Sequence, residues 1–300
     1  MKIVSLAPWS GDNRGSSVAL GMFDGVHIGH RRIILAAKNK STELGIPTSV
    51  LLFSKSPHGA AELLPLSDRL CELEKLGVNF AYVYDFDEIR SKTPLEFVRD
   101  ELCEKVNAKA AFAGYNYRFG AKAIGDSNML IELCKEYGIE CGVSERVEAL
   151  GDAVSSTRIR KLLESGDVES ANQLLDFPYY LRAEVLHGKE LGRKLGLPTI
   201  NQSFGEARVS MARGIYYTKT TIDGKTYFSV SNIGTRPTVE NTEKVNLETH
   251  ILDFGGDAYG KIAKVEFFGR GRGEKHFDSV DELRAEIELD CARARDYFNK

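Results

Sequence analysis

Two histidines three residues apart, His27 and His30, close the segment Gly21-Met-Phe-Asp-Gly-Val-His-Ile-Gly-His30. An apolar, strand-like run precedes it and a helical pattern follows. Imidazoles at such a helix start can donate to phosphate oxygens and neutralise charge that develops in phosphoryl transfer. Gly25 and Gly29 allow an anion to approach backbone N–H groups, where the helix dipole also favours negative charge. Zinc ligation and a plain capped helix are the blander readings. Zinc lacks a third and fourth ligand nearby in sequence. A second anion cradle is spelled by Ser155-Ser156-Thr157, hydroxyls at a helix start, with Arg158 and Arg160 just inside. A capped basic helix is its alternative. Gly188, Gly192 and Gly196 permit a loop tight over phosphates, with Lys189 and Arg193 as charge partners. Thr199 and Asn201 follow as hard oxygen ligands suited to Mg2+. A glycine-rich turn is the competing reading. Asn116 offers a polar edge and Phe119 a stacking face, in what could also be a Tyr-rich surface loop. Glu248 is the type of group that takes a proton from an attacking alcohol, although a strand glutamate more often faces water.

The elements that must position these groups fall into two patterns. Strand-like runs at 16–23, 48–53, 80–84, 110–113 and 142–147 alternate with helical spacing at 30–44, 66–76, 94–106 and 128–137. Thr93 is an expected N-cap. Unbroken apolar strands between helices predict an α/β fold with a parallel sheet. Two short helices follow at 156–163 and 169–175. Beyond Phe177-Pro178, strands dominate, and Asp223-Gly224 between 214–222 and 225–230 signals a type I′ hairpin. A terminal helix over 280–298 carries Leu283, Ile287 and Cys291 on one stripe. The expectation is a boundary near residue 181. Residues 1–181 would be a Rossmann-like domain and 182–300 a small antiparallel β-barrel with a C-terminal helix.

The segment Gly21–His30 resembles the nucleotidylyltransferase signature of the bacterial bifunctional riboflavin kinase/FAD synthetases. The resemblance extends over about residues 18–298, with several motifs in the family's order. It implies that Gly21, Phe23, Asp24, Gly25, Gly29 and the Ser155–Arg160 run bind ATP, with His27 and His30 catalytic. Phe53-Ser-Lys-Ser-Pro-His-Gly59 stands where the family reads F-x-P-H-P, so Pro57 and His58 are expected near flavin; the spacing is longer and Gly59 replaces the second proline. Gly114-Tyr-Asn-Tyr-Arg-Phe-Gly120 resembles the family's flavin loop, which implies that role for Asn116 and Phe119. Downstream, the family's kinase segment ends in P-T-A-N, where this chain has Pro198-Thr-Ile-Asn201. Gly188, Lys189, Gly192, Arg193 and Asn232 are thereby implied in ATP binding, and Thr199 and Asn201 in holding Mg2+. Glu248 matches the catalytic glutamate and Arg272 an arginine expected near the flavin phosphate, in a loop that Gly271 and Gly273 would make flexible. The implied chemistry is phosphorylation of riboflavin to FMN by ATP, then adenylylation of FMN to FAD with release of pyrophosphate. One decayed half, or a flavin-binding regulator without turnover, are the rival expectations. Two decoys fall away. Gly224-Lys-Thr226 lacks the first glycine of a P-loop, and Asp253-Phe-Gly255 has no catalytic H-R-D loop before it.

Composition narrows the partners. Forty Lys+Arg against 43 Asp+Glu give −3 over 300 residues, so no basic surplus points to nucleic acid. The 42% of hydrophobic residues suffices for ordinary cores, yet no run approaches a membrane span. The apolar stretch within Met1–Trp9 is too short for a signal peptide. Five cysteines without C-x-x-C spacing read as free thiols. A cytoplasmic monomer or weak homo-oligomer, without membrane or nucleic-acid partners, is expected.

Overall fold

Apolar runs without polar alternation become the inner strands of a parallel sheet, because only a strand covered on both faces can bury every side chain. In the computed structural model, which describes residues 1–4, 14–56, 59–187, 196–205, 207–237 and 243–299, this sheet has six strands. They are β1 (Lys2–Val4), β2 (Ser16–Leu20), β3 (Thr48–Phe53), β4 (Phe80–Tyr84), β5 (Ala108–Gly114) and β6 (Glu140–Ser144). Their order is β1-β4-β3-β2-β5-β6, parallel throughout. All five residues of β2 are buried. Alternate residues of β3 feed opposite cores: Val50 and Leu52 pack with Ile34 and Leu73, whereas Leu51 packs with Phe97 and Leu130.

Helices α1 (Ile28–Leu44), α2 (Leu66–Lys75), α3 (Phe86–Ile89), α4 (Pro94–Glu96) and α5 (Ser127–Glu136) connect the strands. α1 buries Ile33, Ile34, Ala37 and Ser41, one stripe at helical spacing, and stops at Gly45 in the left-handed region. Thr93 caps α4 through a reciprocal capping box with Glu96. The single helix expected over 94–106 is not regular: from Phe97 to Lys105 it winds as a π-helix, a form that recurs at functional sites. The strand expected to reach Phe23 ends at Leu20, because Phe23 takes φ 51° and turns the chain.

Strand order reverses at β2, which pairs with β3 on one side and β5 on the other. Loops leaving the carboxyl ends of β2 and β5 therefore open a crevice at the switch point. Those loops contain Gly21–His27 and Tyr115–Gly120.

A two-residue hairpin, β7 (Glu148–Ala149) and β8 (Asp152–Ala153), precedes α6 (Ser156–Ser165) and α7 (Val168–Leu175). The second sheet then contains β9 (Tyr180–Glu184), β10 (Thr199–Ser203), β11 (Gly214–Ile222), β12 (Lys225–Pro237), β13 (Glu243–Ile251) and β14 (Ile262–Arg272), and α8 (Val280–Phe298) ends the fold. Its order, β10-β13-β12-β11-β14-β9, is antiparallel. A bridge between Leu186 and Asn201, with the Leu186 N–H 2.8 Å from the Asn201 carbonyl, brings its two edges together into a nearly closed barrel. Asp223 and Gly224 both have positive φ, as the type I′ turn requires. The barrel also buries a chain of hydroxyls. Thr220, Ser229, Thr218, Ser231 and Thr249 are linked successively at 2.7–2.8 Å and have no solvent exposure.

Contacts divide the chain into two compact units, residues 1–156 and 157–300. The division lies ahead of the boundary expected near residue 181, because α6 and α7 bond to the barrel. Ala212 N–H donates to the Leu163 carbonyl (3.0 Å), Arg270 Nη1 to that of Ser165 (3.2 Å), and Asn172 Nδ2 to that of Phe267 (2.8 Å).

Candidate active sites

In the first unit, the turn after β2 is held in a conformation that most residues avoid. Phe23, Gly25 and Val26 all have positive φ. Phe23 is fully buried and lies 5.4 Å from His30, edge to face. Gly29 leaves room for the His27 ring, which an added Cβ would meet at 3.2 Å. His27 is the N-cap of α1, and its Nδ1 accepts from the His30 N–H at 3.3 Å. The uncharged ring must then carry its proton on Nε2, which makes that nitrogen a donor. The two imidazoles stack 3.6 Å apart. Spacing brought them together as expected, but not as cations. Burial lowers the His27 pKa to about 4 and pushes that of His30 well below its usual value, with the His27 and Arg69 charges adding to the latter. His30 Nδ1 is buried and meets no partner among the described residues.

Asp24 is nine-tenths or more buried, and its Oδ1 accepts the N–H groups of Leu63 (2.9 Å) and Leu64 (3.3 Å). Its carbonyl accepts from Ser156 Oγ at 2.8 Å. The carboxylate thus anchors a neighbouring segment. Ser155 and Ser156 end this unit, whereas Thr157, Arg158 and Arg160 begin the second on α6.

Sequence reasoning missed Arg69. This fully buried guanidinium of α2 donates from Nη1 to the carbonyls of Met22 (3.1 Å) and Phe53 (3.0 Å), and from Nη2 to that of Ser54 (2.6 Å). It ties the β2 turn to the end of β3, with Glu62 3.5 Å away. The available signal was a cation on the apolar face of a helix, beside Leu66, Leu70 and Leu73.

The crevice contains a cavity of about 600 Å3. Gly21 and His30 line one part of it; Phe53, Phe97, Phe119 and Asn116 line others. Its aromatic and aliphatic walls suit a flat heteroaromatic ring, and Arg90, Asn116, Arg118 and Lys122 add polar and basic groups. Pro57 and His58 lie outside the described residues.

In the barrel, antiparallel register assembles groups from five separated strands. Asn201 pairs with Glu248, Glu248 with Asn232, Asn232 with Ile215, and Ile215 with Arg272. They form one transverse row. Asn246 bridges two of them, its Nδ2 3.1 Å from Asn201 Oδ1 and 3.4 Å from Glu248 Oε1. A cavity of about 310 Å3 opens on Thr199, Asn232, Glu248 and Arg272, walled by Phe277, Leu283 and Ile287. Two residues of the α8 stripe, Leu283 and Ile287, therefore line this cavity. Arg272 is not on a flexible loop: it ends β14, and its Nη2 is 2.7 Å from Asp290 Oδ2. Its Nε also reaches both Asp290 oxygens, at 3.3 and 3.1 Å.

Thr199 also lines a second cavity of about 560 Å3, with Phe254, Gly255, Gly256 and Tyr259. His187 stacks on Tyr259 at 4.0 Å. These aromatic residues were not singled out from sequence. Gly188, Lys189, Gly192 and Arg193 lie outside the described residues.

Comparisons accord with this division. Residues 10–158 match the FAD synthetase family and residues 175–298 the riboflavin kinase family. The bifunctional riboflavin kinase/FMN adenylyltransferase of Bacillus subtilis is 33% identical over 296 residues, covering 95% of this chain and 93% of the relative. That of Pseudomonas fluorescens is 34% identical over 291 residues, covering 95% and 93%. A crystal structure described as a macrolide-efflux protein from Streptococcus pneumoniae superposes with a TM-score of 0.88 at 29% identity, covering 98% of this chain and 99% of that one. Among the described residues, no helix is long and apolar enough to cross a membrane.

Proposed function

Because the chain belongs to the bifunctional riboflavin kinase/FMN adenylyltransferase family, we propose that its two compact units divide that family's two ATP-dependent reactions between them. The enzyme phosphorylates riboflavin to FMN and adenylylates FMN to FAD.

The kinase reaction is assigned to the barrel. Its main support is the row Asn201–Glu248–Asn232–Ile215–Arg272, of which Glu248, Asn232, Ile215 and Arg272 line the cavity of about 310 Å3. Phe277, Leu283 and Ile287 give the flavin ring an apolar wall. Glu248 takes the proton of the flavin 5′-hydroxyl as that oxygen attacks the γ-phosphate of ATP, and ADP leaves. The aromatic cavity beyond Thr199 suits the nucleotide base. Thr199 and Asn201 supply the hard oxygen donors that fit Mg2+, which when bound neutralises phosphate charge.

Adenylyl transfer is assigned to the parallel-sheet unit. An FMN phosphate oxygen attacks the α-phosphorus of ATP, and pyrophosphate leaves without a protein nucleophile. Catalysis there is positioning and charge stabilisation. The Gly21–His30 turn presents backbone N–H groups and the α1 dipole to the phosphates, and His27 offers its Nε2–H. Ser156 joins this turn through its bond to the Asp24 carbonyl, and Ser155 precedes it. Phe53, Phe97, Phe119 and Asn116 take the flavin ring. We place the enzyme in the cytoplasm, where ATP is at hand.

Glu248→Gln tests the assignment. It should lower conversion of riboflavin to FMN by about 10²–10⁴-fold, while FAD still forms from supplied FMN, both resolved by chromatography. Undiminished kinase activity would remove Glu248 as the base.

A further inference from the structure

We propose that the cavity of the parallel-sheet unit selects the phosphorylated flavin by charge, with Arg118 and Lys122 as specificity-determining residues. This rests on the reading that the cavity holds the flavin of FMN.

The titratable side chains lining it are basic or neutral. Among the described residues these include His30, Arg90, Arg118, Lys122 and Tyr117, and no carboxylate lines it. Burial keeps His30 uncharged. Arg90 is paired with Asp87 at 3.1 Å. Arg118 and Lys122 are exposed, and neither has an ion-pair partner among the described residues. The wall therefore presents two uncompensated positive charges.

The backbone beneath them is held rather than loose. Lys122 and Ala123 are consecutive left-handed residues, with φ 57° and 56°. Each is a conformation that persists only where surrounding bonds over-determine it. Those bonds are present. Ala121 N–H donates to the Lys92 carbonyl at 2.6 Å, and Ala123 N–H to that of Gly120 at 2.9 Å. Phe119 and Gly125 exchange N–H bonds at 3.1 and 3.0 Å. Gly120 packs so closely on Pro94 that an added Cβ would lie 2.8 Å from its ring. The aromatic Phe119 that suits the ring and the cation Lys122 thus belong to one fixed turn.

The barrel cavity has the opposite balance. Glu248, Glu274 and Asp290 line it against Arg272 and Lys275, and Asp290 already engages the Arg272 fork. Riboflavin is neutral, whereas FMN carries nearly two negative charges near neutral pH. The two flavins share one ring, so charge is what distinguishes them. A cavity with an acidic excess suits the neutral flavin, and one with unpaired cations retains the dianion. Because Arg118 and Lys122 are exposed, salt must weaken the preference.

The test uses the full-length enzyme with ATP and FMN, scoring FAD. 5′-Deoxyriboflavin serves as inhibitor, because it keeps the ring but has neither the phosphate nor the hydroxyl that the kinase would phosphorylate. R118Q/K122Q should raise KM for FMN about tenfold, with kcat held within about twofold. The inhibition constant of 5′-deoxyriboflavin should stay where it is. Wild-type KM should rise with NaCl, and that of the variant should not. An unmoved KM for FMN would overturn the proposal, as would equal weakening of FMN and the neutral analogue. If 5′-deoxyriboflavin does not compete with FMN in the wild type, the flavin assignment of this cavity fails, and the charge proposal with it. Competition in the wild type with an unmoved KM in the variant overturns the charge proposal alone.

Discussion

His27 and His30 owe their chemistry to burial. A cationic imidazole in the turn after β2 would lie against Phe23 and close to the Arg69 guanidinium, so both rings stay neutral. Neutral rings can offer directional N–H donation but no standing charge. Of the six histidines, His27 should titrate near 4 and His30 well below its ordinary value. An NMR titration from pH 8 to about 5.5 checks this, since ordinary histidines shift near 6.5. Two ring signals should stay flat; movement of the His27 signal at ordinary pH would refute the burial argument. The consequence for stability has a definite sign. The unfolded chain binds protons near pH 6.5 that folded His27 refuses until about 4. This contribution is therefore fully present above pH 6.5 and is lost as the pH falls toward 4. Arg69 shows the complementary case, a buried cation made tolerable by backbone carbonyls.

At the scale of elements, strand register does most of the assembly. Asn201, Glu248, Asn232 and Arg272 come from four segments, and only antiparallel pairing puts them in one row. The hydroxyl chain beside them tightens β11, β12 and β13. Thr218 lies between Ser229 and Ser231, 2.8 Å from each. Thr218→Val keeps the shape and removes both bonds. It should lower stability by about 1–2 kcal/mol, seen as a lower urea midpoint with an unchanged slope. Adding Ser229→Ala and Ser231→Ala should cost less than the sum of the separate changes, because partners are removed together. Strict additivity would mean that the hydroxyls act independently. Amphipathic spacing identified α8, yet its Leu283 and Ile287 line a cavity, which periodicity cannot distinguish from a filled core.

Across the whole molecule, two compact units carry separate sheets, and α6 and α7 belong with the barrel. A fragment of residues 157–300 should melt cooperatively and at a higher temperature than one of residues 182–300. The shorter fragment loses the bonds from Ala212, Arg270 and Asn172 described above. Equal melting temperatures would show these helices to be dispensable to the barrel. The sequence by itself determined the order of elements, the alternation that makes one sheet parallel, the Asp223-Gly224 hairpin and the Gly21–His30 and Ser155–Arg160 motifs. Those are local properties, set by side-chain period, turn stereochemistry and composition over a few residues. Only the tertiary structure decided that the histidines are neutral, that Arg69 holds the β2 turn, that Arg272 is paired with Asp290 and that Arg118 and Lys122, without an ion-pair partner among the described residues, line the cavity of the first unit. Each depends on which distant groups approach within a few ångströms and how much water they exclude, and neither quantity is written in the spacing of one chain.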